Sequence, residues 1–196
     1  MEKSEENKKE KEAKLLNTAF NLFTTNGIKN TSIQDIVDNA GVAKGTFYLY
    51  FKDKYDIRDK LIEKTSKNLF VQALNTLENS NINSFEEQVI FIINYVIDEL
   101  SNNEVLLQFI SKDLSFGIFN HTIKKLSSPE DDNENLIDFF NKKAIEHNRK
   151  YDNPEIVLFT IIELVGSTCF NSILHKIPVP ITEYKPFLYD VIRKIL

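Results

Sequence analysis

The chain is short of everything that staples or interrupts a backbone. It has one cysteine in 196 residues, Cys169, so no disulfide can close within it and nothing points to an oxidising compartment. Only five glycines and five prolines punctuate it, which favours long helices. No segment alternates apolar and polar residues between hairpin turns, so strands are not expected. No uninterrupted apolar run reaches the ~18 residues of a bilayer span. The opening MEKSEENKKEKEAK carries both charge signs and lacks the apolar centre of a signal peptide. A cytoplasmic protein without a membrane partner is expected. There is no phosphate loop of GxxxxGK type and no local nucleophile motif, so the chain does not read as an enzyme. His121, His147 and His175 fall on three expected helices without ligand spacing, so neither a metal site nor a cofactor is expected.

Positive charge is scarce overall, but unevenly so. The net charge is −5. Residues 1–64 hold twelve Lys and Arg against eleven Asp and Glu, while the remainder holds twelve against eighteen. The first third therefore repels a phosphate backbone less than the rest, although a balance of +1 identifies nothing alone.

What is present is helical periodicity. Phe85, Val89, Ile92, Ile93, Val96, Ile97 and Leu100 recur at three and four, behind a Ser84 and Glu87 pair with capping-box spacing. An earlier stripe, Leu15, Leu16, Ala19, Phe20, Leu22 and Phe23, ends at Gly27. A third carries Leu61, Ile62, Leu69, Phe70, Ala73, Leu74 and Leu77. Further helices centre on 104–111, 113–127, 133–149, 154–175 and 183–196, with Asn153 and Pro154 as cap and first residue of one of them. A polar loop is expected at 127–135. The fold is all-α, with nine to ten helices, and Cys169 reads as a core thiol.

The densest signal is GIKNTSIQDIVDNAGVAKGTFYLYF, residues 27–51. Thr31 or Ser32 can cap a short helix whose apolar face is Ile33, Ile36, Val37 and Ala40. Gly41 then supplies the positive φ of a tight turn, and a second short helix starts near Ala43. This is a helix-turn-helix, which sets the start of its second helix in a DNA major groove. Phe47 and Phe51, four apart, share the inward face. Lys44, Thr46, Tyr48 and Tyr50 are left for phosphates, sugars and base edges, and Gly45 allows close approach to DNA. Gln34 is a further candidate for a base edge. Leu49 offers an apolar contact.

Residues 12–62 resemble the DNA-binding domain of the TetR family of bacterial transcription regulators. The resemblance is carried by Thr31-Ser32, by Ala40-Gly41-Val42, by Gly45-Thr46-Phe47-Tyr48, and by Tyr50-Phe51 with Lys54. Val37 departs from it, since a smaller residue is usual there. The resemblance implies DNA contacts from Thr31, Ser32, Gln34, Lys44, Gly45, Thr46, Tyr48, Tyr50 and Lys54. It implies a three-helix DNA-binding domain over 1–64, with 1–10 as a flexible arm. Over 65–196 it implies a helical domain that binds a small molecule and forms a homodimer.

Fifteen phenylalanines without a tryptophan suit a core together with an apolar pocket. Phe91, Tyr95, Phe109, Phe116, Phe119, Phe159 and Phe170 are the pocket candidates. The acidic balance of this region favours a neutral or cationic ligand over an anion. For the dimer, helices 133–149 and 154–175 supply Phe140, Phe159, Ile162, Val165, Thr168 and Ile173. Two functions stay open: a repressor released from a palindromic operator by a largely apolar ligand, and a DNA-binding regulator with no small-molecule inducer.

Overall fold

A computed structural model describes residues 2–110, 112–119 and 136–196. Every regular element among them is a helix: α1 (Glu2–Asn26), α2 (Ile33–Ala40), α3 (Lys44–Tyr48), α4 (Lys54–Glu78), α5 (Phe85–Ser101), α6 (Glu104–Ile110), α7 (114–119), α8 (Leu136–Glu146), α9 (Pro154–Leu174) and α10 (Ile181–Ile195). The polar loop expected at 127–135, the second half of the helix expected at 113–127, and His121 lie outside the described residues. The chain divides into two compact units, Met1–Ile62 and Glu63–Leu196, with the division inside α4.

In the first unit α1 buries Leu15, Leu16, Ala19 and Phe23 and stops at Gly27, whose φ is +82°. Its start differs from the flexible arm expected at 1–10, because the helix already begins at Glu2. The Glu, Lys and Ala residues there are strong helix formers. They need no packing to hold the turn, and Glu6 to Glu10 are exposed.

In α2 the cap is reciprocal. Ser32 Oγ accepts from the Asp35 amide at 3.1 Å, and the Ser32 amide donates to Asp35 Oδ2 at 2.8 Å. The Ser32 hydroxyl, then the Ser32 amide, hold the Asp35 carboxyl below its usual range. The stabilisation is present above the ordinary carboxylate pKa and fades as pH falls through the lowered one. Gly41 closes α2 at φ +66°.

The second unit is a helical core. α5 buries Phe85, Val89, Ile92, Ile93, Ile97 and Leu100 of the stripe read from the sequence, leaves its Val96 half-buried, and buries Ile90 as well. The capping box expected before it does not form. Ser84 Oγ donates to Glu86 Oε2 at 2.7 Å instead, and Glu87 is drawn away to Arg193 Nε at 2.9 Å. At α9 the expected cap does form, with Asn153 Oδ1 accepting from the Ile156 amide at 3.1 Å.

α9 packs against α5, α6, α8 and α10. No uninterrupted apolar run reaches the length of a bilayer span, yet among the described residues α9 has the length and average composition of one: Glu155 and Glu163 break the run without changing the average much. The central helix of a helical core meets the same description, and Leu158, Ile161, Ile162 and Val165 of α9 are buried. Cys169 is buried on this helix too, and burial pushes its thiol up to about 11, as suits an inert core thiol.

Candidate nucleic-acid interface and ligand cavity

α3 has only five residues, so its position comes from packing. Phe47 is fully buried and Phe51 nearly so, with ring centroids 5.5 Å apart. Burial of each contributes about 2–3 kcal/mol. The Phe51 amide donates to the Phe47 carbonyl at 3.0 Å, which turns the chain sharply after the helix. Lys60 holds this turn from α4. Its Nζ donates to the Tyr50 carbonyl at 2.9 Å and lies 4.7 Å from the Phe51 ring centre. α4 is itself capped by Asp53, whose Oδ1 accepts from the Tyr55 and Asp56 amides at 2.8 and 2.9 Å.

With Phe47 turned inward, the opposite side of α3 is left bare. Lys44 and Gly45 are exposed, Tyr48 is 54% exposed, and Leu49 just beyond is 77% exposed. Thr46 and Tyr50 are half-buried at the edges. A Cβ built on Gly45 would meet nothing within 4 Å, so no neighbour inside the chain requires glycine there. Gln34 is exposed on α2, with its amide donating to Asp38 Oδ1 at 2.8 Å.

Two sequence candidates are placed elsewhere. Thr31 is 1% exposed, and its hydroxyl donates to the Gly27 carbonyl at 2.9 Å. It fastens α1 to α2 and cannot reach DNA. Lys54 Nζ donates to the carbonyls of Ile28, Thr31 and Lys29 at 2.8, 3.0 and 3.2 Å. It closes the loop that carries the helix-turn-helix and has no donor left for a phosphate. Lys54→Met should therefore destabilise the protein by ~2 kcal/mol, since three carbonyls lose a charged donor. A urea melt that moves by less than a quarter of this would show that water replaces the ammonium. Ser32, as cap, is exposed with its hydroxyl bound to Asp35. Lys52 and Tyr55 are exposed nearby and were not among the candidates; their place beside the Phe51 turn is the only signal for them.

The family model for bacterial regulatory proteins of the tetR family matches residues 15–61. The N-terminal domain is thus of the TetR type. The HTH-type transcriptional regulator YuxN of Bacillus subtilis is 27% identical over 146 residues, 69% of this chain and 48% of YuxN. The chain thus spans about half the length of this curated relative. A TetR-family transcriptional regulator from Syntrophomonas wolfei shares the fold with a TM-score of 0.66 at 22% identity, over 95% of each chain. The regulator FadR from B. subtilis, solved in complex with stearoyl-CoA, does so with a TM-score of 0.64 at 17% identity, over 94% of this chain and 98% of that one.

The second unit holds an apolar cavity of about 50 Å³. α4 lines it with Ser66, Leu69 and Phe70, α5 with Val89, Ile92, Ile93 and Val96, and α9 with Leu158, Ile161, Ile162 and Val165. Leu114, Ile118, Leu136, Phe139 and Phe140 close it. None of the seven aromatic candidates is in this wall. Phe91 and Tyr95 are half-buried and pack on the outer side of the Phe70–Phe139 cluster. Phe116 and Phe159 are 41% and 45% exposed, and Phe119 and Phe170 are half-buried. Phe109 is half-buried on α6. On the α5 side the wall is aliphatic, Val89, Ile92, Ile93 and Val96, and its aromatic residues are Phe70 of α4 and Phe139 and Phe140 of α8.

The dimer candidates divide likewise. Phe140, Ile162 and Val165 are at most 7% exposed and line the cavity, so a partner chain cannot touch them. Phe159 is exposed, and Thr168 and Ile173 are half-buried.

Proposed function

We propose that the chain is a homodimeric transcription repressor that leaves its palindromic operator when a largely apolar small molecule enters the cavity. The observation that supports this most is the division of α3: Phe47 wholly inside, Lys44, Tyr48 and Leu49 outside, at the turn the family model covers. Lys44 can neutralise a phosphate, the Tyr48 hydroxyl can donate to another, and Leu49 can pack on a thymine methyl. Because Gly45 has open space where a side chain would stand, the backbone of α3 can lie against DNA. A protein that acts on DNA in this way works in the cytoplasm.

The walls of the cavity support the ligand half of the proposal. Among the described residues Ser66 is their one polar side chain, so affinity comes mainly from apolar contact. FadR from B. subtilis, with the same fold, was solved with stearoyl-CoA, and FadR from Thermus thermophilus with lauroyl-CoA; both carry a long aliphatic chain. The narrowness of the cavity favours a second reading, a DNA-binding regulator without an inducer. At about 50 Å³ it holds no drug-sized molecule unless its side chains part.

The DNA contacts are tested by titrating operator DNA at several salt concentrations. Lys44→Ala should reduce the salt slope of log K by about one. Tyr48→Phe should weaken binding by about 1 kcal/mol, near fivefold, through one lost hydrogen bond. Two variants that bind as the parent does at every salt concentration would remove α3 from the interface. A thermal-shift screen decides between the two readings, because a ligand of the native state raises the melting temperature.

A further inference from the structure

The aliphatic cavity has a neighbour. Phe139, 5% exposed, also walls a second cleft of about 250 Å³. Among the described residues it is the one that the two linings share. α4, α5 and α8 supply both, one turn apart. Along α4 the lining passes from Phe70 to Leu74, along α5 from Ile92 to Gln88, and along α8 from Phe139 to Lys142 and Lys143. The first space is apolar. The second presents two ammonium groups, the hydroxyl of Ser80 and one carboxylate, Glu78.

This cleft has fixed walls. Gln88 Nε2 donates to the Ile82 carbonyl at 2.8 Å, and Ser80 Oγ donates to the Leu77 carbonyl at 2.6 Å. The ring of His147 joins the Asn83 carbonyl, 2.8 Å from Nε2, to the Lys143 carbonyl, 3.0 Å from Nδ1. Gln88 Oε1 is buried with no hydrogen-bond partner among the described residues. A buried acceptor without a donor leaves several kcal/mol of solvation unreplaced in an apolar reference, so it calls for a water or a hydroxyl.

We propose that cavity and cleft together hold one amphipathic anion. Its aliphatic chain lies in the cavity, whose side chains part to admit it, and passes Phe139, and its carboxylate or phosphate head meets Lys142 and Lys143. The Phe139 ring stands edge-on to Phe70, with centroids 6.3 Å apart. Rotation of this one side chain joins the two spaces. Lys143 now pairs with Glu146 at 2.7 Å, both partly exposed, and an exposed pair of this kind is easily exchanged for a ligand. The overall acidity of the second unit argues for a neutral or cationic ligand, but nearby charge decides, and among the described residues Lys142 and Lys143 stand in the lining beside one carboxylate, Glu78, with Glu146 displaced from Lys143 when the head binds. The proposal rests on the reading of the cavity as a ligand site.

The test is calorimetric titration of the full chain with decanoate, decyl phosphate and decanol, all below their micelle concentrations. One or both anions should bind about tenfold more tightly than decanol, as charged hydrogen bonds add to chain burial. Which anion leads separates a carboxylate ligand from a phosphate. The double variant K142Q/K143Q should lose this preference and keep its affinity for decanol; Lys142 is exposed and Lys143 partly so, and glutamine keeps most of each side chain, so the fold should survive. Equal affinity for all three, or a preference that the double variant retains, overturns the head-group site while the cavity remains a ligand site. If none of the three binds, the cavity reading itself fails and the proposal with it.

Discussion

Phe187→Glu should turn a dimer into monomers and weaken operator binding by at least a hundredfold. α10 buries Leu188 and Ile192 but leaves Phe187 69% and Val191 45% exposed, one turn apart. α9, packed against it, leaves Ile156 61% and Phe159 45% exposed at a spacing of three. Apolar side chains at helical spacing on two packed helices are what a partner of the same kind would cover. A short α3 reaches only a few base pairs, so useful specificity needs two copies on two half-sites. The second half-site then binds at the high effective concentration of a tethered partner, which adds about 10²–10⁴ in affinity. Removing the dimer removes this factor. Sedimentation velocity gives the mass, and fluorescence anisotropy with operator DNA gives the affinity. Should the variant stay dimeric with full affinity, α10 is not the interface. Val165→Glu, which the sequence suggests as the disrupting change, would mislead, because Val165 is 5% exposed inside the cavity wall. A charge buried there destabilises the unit whatever its oligomeric state.

These cases mark what the sequence could and could not reveal. The helix-turn-helix was legible because its determinants are local. Ser32 and Asp35 are three apart, Gly41 needs its own φ, and Phe47 and Phe51 share a face by helical spacing. The stripe of α5 was legible for the same reason. Lys54 was misread because its partners, the carbonyls of Ile28, Lys29 and Thr31, are 23 to 26 residues away in the chain. Nothing in a lysine at the head of a helix distinguishes a phosphate contact from a loop clamp. The cavity was misplaced because its wall depends on the mutual rotation of α4, α5, α8 and α9. An abundance of phenylalanine says that rings are buried somewhere, not which face meets a void. The flexible arm that the resemblance implies over 1–10 is helix from Glu2 on, because Glu and Lys there favour helix.

Filling the cavity should uncouple the ligand from DNA. In the repressor reading, a ligand that prefers the operator-incompetent state by ~3 kcal/mol weakens operator binding by about two orders of magnitude. Linkage requires operator DNA to weaken the ligand by the same factor. α4 is the element that bears on both: it carries Lys54, which clamps the loop before α2, and Ser66, Leu69 and Phe70, which line the cavity. A molecule that parts those walls acts on the helix that fixes the helix-turn-helix. Val96 is half-buried on the α5 side of the cavity, so Val96→Phe adds a ring to the void. Overpacking of this kind costs about 1–3 kcal/mol of stability, which a urea melt would register. The variant should bind operator as the parent does and should lose the response to any compound found by thermal shift. The decisive titration adds that compound to the parent's operator complex and to free protein. A compound that binds both with equal affinity is no inducer, however tightly it binds, because equal affinity for two states shifts neither.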